Sequence, residues 1–210
     1  MQSLETIKGI FSEQRLLPII QAESIADGLE VTRAMQKSGL NVVEVVLRNQ
    51  QALNLAIEIK RNFPELVLGI GTVYNTARLD DALQAGADFI VTPAVTPTLS
   101  AALANCGKPC LPGVSSLSDI ACLLELGFEQ MKLFPAEISG GVGMLKAVSS
   151  LFGDLSFCPT GGINADNQAA YLAQPNVFAV GGTWMVPKSA VENKQWDAIT
   201  RACQQAIAIS

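Results

Sequence analysis

Short apolar runs recur along the chain, with stretches of helical period between them. The runs begin near Leu17 (LPII), Val42 (VVEVVL), Val67 (VLGIGTV), Phe89 (FIVTP), Pro109 (PCLPGV), Met131 (MKLFP), Leu155 (LSFCPTG) and Val177 (VFAVGG). Stretches such as SIADGLEVTRAMQKSG, TARLDDALQAG and SLSDIACLLELG carry apolar residues at helical spacing and end in glycine just before the next run, as a helix C-terminus does. One phrase returns as SGLNVVEV, AGADFIV and LGFEQMKL, which marks a βα unit repeating every 21–25 residues or so. Eight buried strands alternating with helices predict a compact (β/α)8 TIM barrel, a parallel sheet closed on itself. An extra amphipathic helix from Ser3 to Gln14 is expected to cap the barrel bottom. A doubly wound open sheet is the structural competitor. The even spacing and the lack of GxGxxG after the first strand count against it. No linker or low-complexity tract interrupts the pattern, so residues 1–210 read as one domain.

Composition narrows the chemistry. With 49% apolar and 16% charged residues in 210, the chain can bury a large core and long disorder is not expected. It contains no histidine, which removes Ser-His-Asp and Cys-His catalysis and every His-dependent zinc site. The net charge is −5 with no basic cluster, which argues against nucleic acid as a partner but leaves a small anion held by backbone N–H groups open. Cys106, Cys110, Cys122, Cys158 and Cys203 are odd in number and lack metal-site spacing. They read as reduced, small apolar fillers in a cytoplasmic protein. The N-terminal MQSLETIKGIF is too polar for a leader, and no run reaches the roughly 18 apolar residues of a membrane span, so a soluble protein is expected.

Active sites of barrels lie at the C-terminal strand ends. In the second run, VVEVVLR, strand period two puts Glu44, Val46 and Arg48 on one face, expected to be the interior. A carboxylate there is costly unless paired or protonated. A structural Glu44–Arg48 ion pair is the plainer alternative. Of the eight lysines, only Lys132, in QMKLFPAE, interrupts an apolar strand. Lys8, Lys37, Lys60, Lys146 and Lys194 fall in predicted helices, and Lys108 and Lys188 in loops beside prolines. Burial favours the neutral amine, the nucleophilic form, although Lys132 could instead point outward and reach solvent. Phe134 shares its face.

The seventh and eighth runs end in Thr160-Gly161-Gly162 and Gly181-Gly182-Thr183. Glycines let a backbone approach an anion, and the loops after strands 7 and 8 form the usual phosphate site of a barrel; ordinary tight turns are the bland reading. Thr72, in GIGTV, offers a hydroxyl at the barrel mouth, while Glu137 reads as a solvated carboxylate.

VVEVVLR, GIGTV, KLFPAE, CPTGG and VGGTWMVP, in this order, resemble the bacterial 2-keto-3-deoxy-6-phosphogluconate (KDPG) / 4-hydroxy-2-oxoglutarate (KHG) aldolases over essentially the whole chain. The resemblance implies a class I aldolase on a compact barrel, without cofactor or metal, acting on a small keto acid phosphate as a homotrimer. It implies Lys132 as the Schiff-base lysine and Glu44 as the general acid–base. Arg48 and Thr72 match residues that hold the pyruvyl carboxylate, Phe134 an aromatic beside the lysine, and Thr160 a residue at the substrate end of strand seven. Gly161, Gly162, Gly181, Gly182 and Thr183 fall on the phosphate loops. Two departures bear on substrate preference: Ala94 stands where the family has glycine, and Thr183 where it has serine. A phosphosugar epimerase, an aldolase for the galactonate analogue and a non-catalytic sugar-phosphate-binding barrel are the competing readings.

Overall fold

The computed structural model describes residues 6–49 and 51–210. Strands and helices alternate along the chain: α1 (Ile7–Ile10), β1 (Leu16–Ile20), α2 (Ile25–Lys37), β2 (Val42–Val46), α3 (Gln51–Asn62), β3 (Val67–Gly71), α4 (Thr76–Gln84), β4 (Phe89–Val91), α5 (Pro97–Asn105), β5 (Cys110–Leu111), β6 (Gly113–Val114), α6 (Leu117–Leu124), β7 (Gln130–Leu133), α7 (Gly141–Leu151), β8 (Ser156–Phe157), α8 (Gln168–Leu172), β9 (Val180–Gly182), α9 (Lys188–Glu192) and α10 (Trp196–Ile207). Local chemistry sets several helix starts. Ser24, Asn75, Thr96 and Ser116 each accept the N–H three residues on, and Ser116 and Asp119 complete a reciprocal capping box. Gly39 and Gly86, at φ 99° and 83°, turn the chain out of α2 and α4 into the next strand.

All strand pairs are parallel. One sheet runs β5-β4-β3-β2-β1-β9 and the other β6-β7-β8. Pro112, which has no N–H to donate, is the single residue between β5 and β6. Isolated parallel bridges join Phe157 to Val177 and Thr160 to Gly181, bringing the β8 edge beside β9.

Strand alternation separates two apolar layers. Val43 and Val45 of β2, Leu68 and Ile70 of β3, and Met131 and Leu133 of β7 face the helices in the larger cluster. Their neighbours point the other way. Leu17, Val42, Phe89, Leu111, Cys158 and Phe178 form an inner cluster near the strand starts, closed off by Ile7, Ile10 and Phe11. The expected N-terminal helix is thus shorter than Ser3 to Gln14: it spans Ile7–Ile10, residues 3–5 lie outside the described residues, and Phe11 already leaves the helix. Lys194 also departs from expectation, lying between α9 and α10 at φ 53°, while Lys188 opens α9 rather than sitting in a loop. Among the described residues no helix is long and apolar enough to cross a membrane.

Phe89 anchors the inner layer. It is fully buried, meets Phe11 edge-on at 6.0 Å between centroids, and fits because Gly69 is opposite: a Cβ there would lie 2.3 Å from the Phe89 ring. Phe89→Ala is expected to cost about 3–5 kcal/mol, read as a lower urea midpoint at unchanged slope.

Candidate active site

Above this apolar floor the interior turns polar. In β2 the residues facing inward are Val42, Glu44 and Val46, and in β7 Lys132 lies between outward Met131 and Leu133. Glu44 is fully buried and Lys132 is only 5% exposed, so both are largely withdrawn from bulk water. The Lys132 Nζ donates to Glu44 Oε1 at 3.4 Å and lies 5.2 Å from the Phe134 ring centroid. Lys132 thus points inward rather than snorkelling between helices. Its strand is pinned by Lys132 N–H to the Pro112 carbonyl at 2.8 Å and Phe134 N–H to the Val114 carbonyl at 2.9 Å. The second carboxylate oxygen, Glu44 Oε2, is buried with no partner in the protein. A buried acceptor left open is costly unless a ligand or water fills it.

Gly71 makes the carboxylate's place. A Cβ on Gly71 would lie 1.9 Å from Glu44 Oε1 and 2.7 Å from its Cδ. The glycine of the GIGTV phrase is therefore part of the site, and sequence reading missed it. Its signal was present in two glycines at period two, on the interior face of a strand. Cys158 is a second nucleophile within electrostatic reach of the pair, but burial pushes its thiol up to about 12, with Lys132 opposing and Glu44 adding to the shift. It stays a neutral thiol.

The other candidates lie in the segments that follow the strands. Arg48 does not continue the interior face with Glu44. β2 ends at Val46, and Arg48 N–H donates back to the Val46 carbonyl at 2.8 Å, a tight turn that breaks the alternation. Arg48 is exposed on a cavity of about 220 Å³ shared with Gln21, Glu23 and Asn49, and no Glu44–Arg48 ion pair exists among the described residues. Thr72 is half-buried just past β3 at φ 63°, a conformation a β-branched residue adopts only under strain of about 1–3 kcal/mol. Thr160 is buried, donates to the Cys158 carbonyl at 3.4 Å and packs on Gly181, whose Cβ would lie 2.5 Å from its Oγ1.

Gly161 and Gly162, at φ 92° and 86°, form a left-handed turn after β8. Glu137 holds this turn: its N–H donates to the Gly161 carbonyl at 3.2 Å, and its Cγ occupies the space a Gly162 Cβ would need, 2.3 Å away. The Tyr171 hydroxyl of α8 donates to Glu137 Oε1. Burial and this contact push the Tyr171 phenol above its ordinary range. Glu137 is therefore tied across two loops and a helix, not simply solvated. Its partner lies 34 residues on, beyond the reach of any local pattern. Past β9, Gly182 lies under the Trp184 ring, which a Cβ would approach to 2.4 Å. Thr183 is exposed and lines a cavity of about 460 Å³ with Gln21, Asp27, Val186 and Lys188. Among the described residues there is no cluster of three or more metal-ligating side chains.

Comparison with known proteins settles the lineage. The family model "KDPG and KHG aldolase" matches residues 7–202. The chain belongs to the KDPG and KHG aldolase family. Within it, the 2-dehydro-3-deoxy-phosphogluconate aldolase of Pseudomonas aeruginosa is 40% identical over 206 residues, covering 98% of this chain and 94% of its own. A KDPG aldolase from Legionella pneumophila, solved with pyruvate captured as a covalent carbinolamine, superposes at a TM-score of 0.92 with 38% identity, covering 95% of this chain and 97% of that one. The KDPG aldolase of Zymomonas mobilis, solved with 3-phosphoglycerate, gives 0.90 and 36% over 99% of this chain and 98% of that one. The KDPG and KHG aldolase match thus spans the strands that carry Glu44 and Lys132 as well as both glycine loops.

Gly71→Ala tests the carboxylate's seat. The added methyl must displace Glu44, so kcat is expected to fall about 100-fold, the scale of a misplacement near 1 Å. The melting temperature should drop by only a few degrees, because overpacking costs about 1–3 kcal/mol. Steady-state kinetics beside a thermal scan check both.

Proposed function

We infer that this protein is a class I aldolase that cleaves KDPG to pyruvate and glyceraldehyde 3-phosphate, with cleavage of KHG to pyruvate and glyoxylate as a second activity of the same site. The observation that carries the reading is the buried Lys132–Glu44 pair, 3.4 Å apart, with Glu44 Oε2 still open. An amine and a carboxylate at this distance are what imine chemistry needs: a nucleophile and a group that takes and returns protons. The carbinolamine held by the Legionella relative is the adduct such a lysine forms with pyruvate.

The neutral Lys132 amine attacks the substrate C2 carbonyl carbon, and the oxygen takes up a proton to give a carbinolamine. Loss of water leaves an iminium. Glu44, acting through its open oxygen and a water, removes the C4 hydroxyl proton. The C3–C4 bond then breaks, its electron pair moves toward the iminium, and the aldehyde leaves. Glu44 returns a proton to the enamine carbon, and hydrolysis frees pyruvate and the amine. Arg48 offers a planar fork for the substrate carboxylate, which a lysine could not match. Thr72 assists beside it, Phe134 walls the lysine, and Thr160 closes the side past β8. Gly161, Gly162, Gly181, Gly182 and Thr183 hold the phosphate away from the reacting bond, where binding energy can fix the reacting end.

In this reading the two sheets are one closed (β/α)8 barrel of a single domain, with α1 at its base. Its support is the one-residue Pro112 gap and the Thr160–Gly181 bridge. Lys132 and Glu44, on different sheets, also meet across the interior. We take the protein to be cytoplasmic and, from the family resemblance, a homotrimer; Ile138, 87% exposed, is an apolar side chain a partner subunit would cover.

Incubation with pyruvate followed by borohydride should place a reduced adduct on Lys132, located by peptide mass spectrometry. Lys132→Arg keeps the charge but forms no imine and should abolish both adduct and cleavage. Retained cleavage, or no adduct in folded wild-type protein, would sink the Schiff-base mechanism and favour the epimerase. Glu44→Gln is expected to lower kcat about 10²- to 10⁴-fold; an unchanged rate would reduce Glu44 to a structural role.

A further inference from the structure

Away from the aldolase site, near the start of β5, the fold brings two thiols into contact. Cys106 caps the C-terminus of α5 and Cys110 opens β5, and their Sγ atoms lie 3.5 Å apart. The chain between them doubles back through Gly107, at φ 73°, Lys108 and Pro109. Both sulfurs approach the Lys108 carbonyl, at 3.7 Å and 3.3 Å. Cys106 is half-buried beside the exposed Asn105, Gly107 and Lys108, whereas Cys110 is buried. A cavity of about 260 Å³ lined by Ile7, Lys108, Pro109, Cys110 and Phe128 opens at the same end of the strands. By sequence alone these cysteines read as apolar fillers. Contact between two sulfurs, one reachable and one sheltered, fits an attacking and a resolving thiol better.

The charges agree with the geometry. The Cys110 hydrogen bond holds the Cys106 thiol down at about 6, against the opposing effect of burial and with help from the Lys108 backbone and charge. The same contact, with burial, pushes the Cys110 thiol up. Of the two thiols, the half-buried Cys106 is thus the more readily ionised. This is the asymmetry that lets one sulfur attack while the other waits.

We propose that Cys106 and Cys110 form a dithiol redox centre, converted reversibly to an intrachain disulfide by a small-molecule disulfide of the glutathione type. The Cys106 thiolate attacks one sulfur of the oxidant, forming a mixed disulfide and expelling one thiolate. Cys110 then loses its proton to solvent and attacks Cys106 Sγ, expelling the second thiolate. Two protein sulfurs are oxidised to one disulfide and one small disulfide is reduced to two thiolates; the proton Cys106 gave up on ionising and the one Cys110 loses are, through solvent, the two those leaving thiolates take up. The closed loop is too short for the bond to gain much from chain entropy, so it is reversible rather than structural. The centre is independent of the proposed aldolase chemistry.

The test equilibrates the whole folded protein in mixtures of reduced and oxidised glutathione, quenches with acid, alkylates and maps the peptides by mass spectrometry. In the oxidised mixtures the peptide holding Cys106 and Cys110 should become two hydrogens lighter and lose both alkylation sites, and reduced glutathione should restore them. Cys110→Ser should stop at glutathione on Cys106, and Cys106→Ser should leave Cys110 unmodified. A wild-type protein in which both cysteines stay alkylable, or in which Cys106 retains glutathione without resolution, would overturn the proposal. Pyruvate–borohydride trapping on the same samples should give the same yield throughout, which shows that the fold is intact. A loss of trapping that tracks oxidation would overturn the independence claimed here.

Discussion

A carboxylate and an amine-bearing side chain share an almost fully buried interior, and the rest of the structure is arranged around that fact. Desolvating either group alone would cost several kcal/mol, and each is tolerable only beside the other. Glu44 and Lys132 come from strands in different sheets, so their contact requires the sheets to curl toward one another. It also requires room. Gly71 gives up a side chain so that Glu44 can lean toward the strand ends, and Gly69 gives up another so that Phe89 can fill the space below. The apolar floor of Phe89, Phe11 and Phe178 then keeps water from entering beneath the pair. One Glu44 oxygen is left buried without a partner in the protein.

What was legible in the sequence follows from the same physics. Strands buried on both faces are near-continuous apolar runs, so a charged residue inside one stands out; Glu44 and Lys132 were visible for that reason. Period two correctly put Glu44 inward with Val42 and Val46, and it failed one residue pair later. Arg48 lies beyond a tight turn at Val46, and hydrophobic pattern carries no signal for where a strand's hydrogen bonding stops. The division of β5 from β6 was hidden by the same limit, since Pro112 reads as part of one apolar run. Glu137 is exposed, as expected, but its tie was hidden for another reason. Its partner Tyr171 lies on a different βα unit, and only the assembled fold brings them together.

The glycine loops show how one residue type answers two demands. Gly162, Gly181 and Gly182 each face a side chain that a Cβ would strike, those of Glu137, Thr160 and Trp184 respectively. Their being glycine is therefore required by packing before any anion is considered, and a substitution there would move a neighbour whether or not phosphate binds. Gly161 differs, since its nearest would-be contacts are 3.1–3.3 Å away and its positive φ is the main requirement. Thr183 differs further: it is exposed, it lines a cavity of about 460 Å³, and its side chain makes no hydrogen bond among the described residues. A role in phosphate binding is thus separable from a role in holding the fold at Thr183. At Gly162 and Gly181 the two are the same atom's absence, and the sequence motif cannot distinguish them.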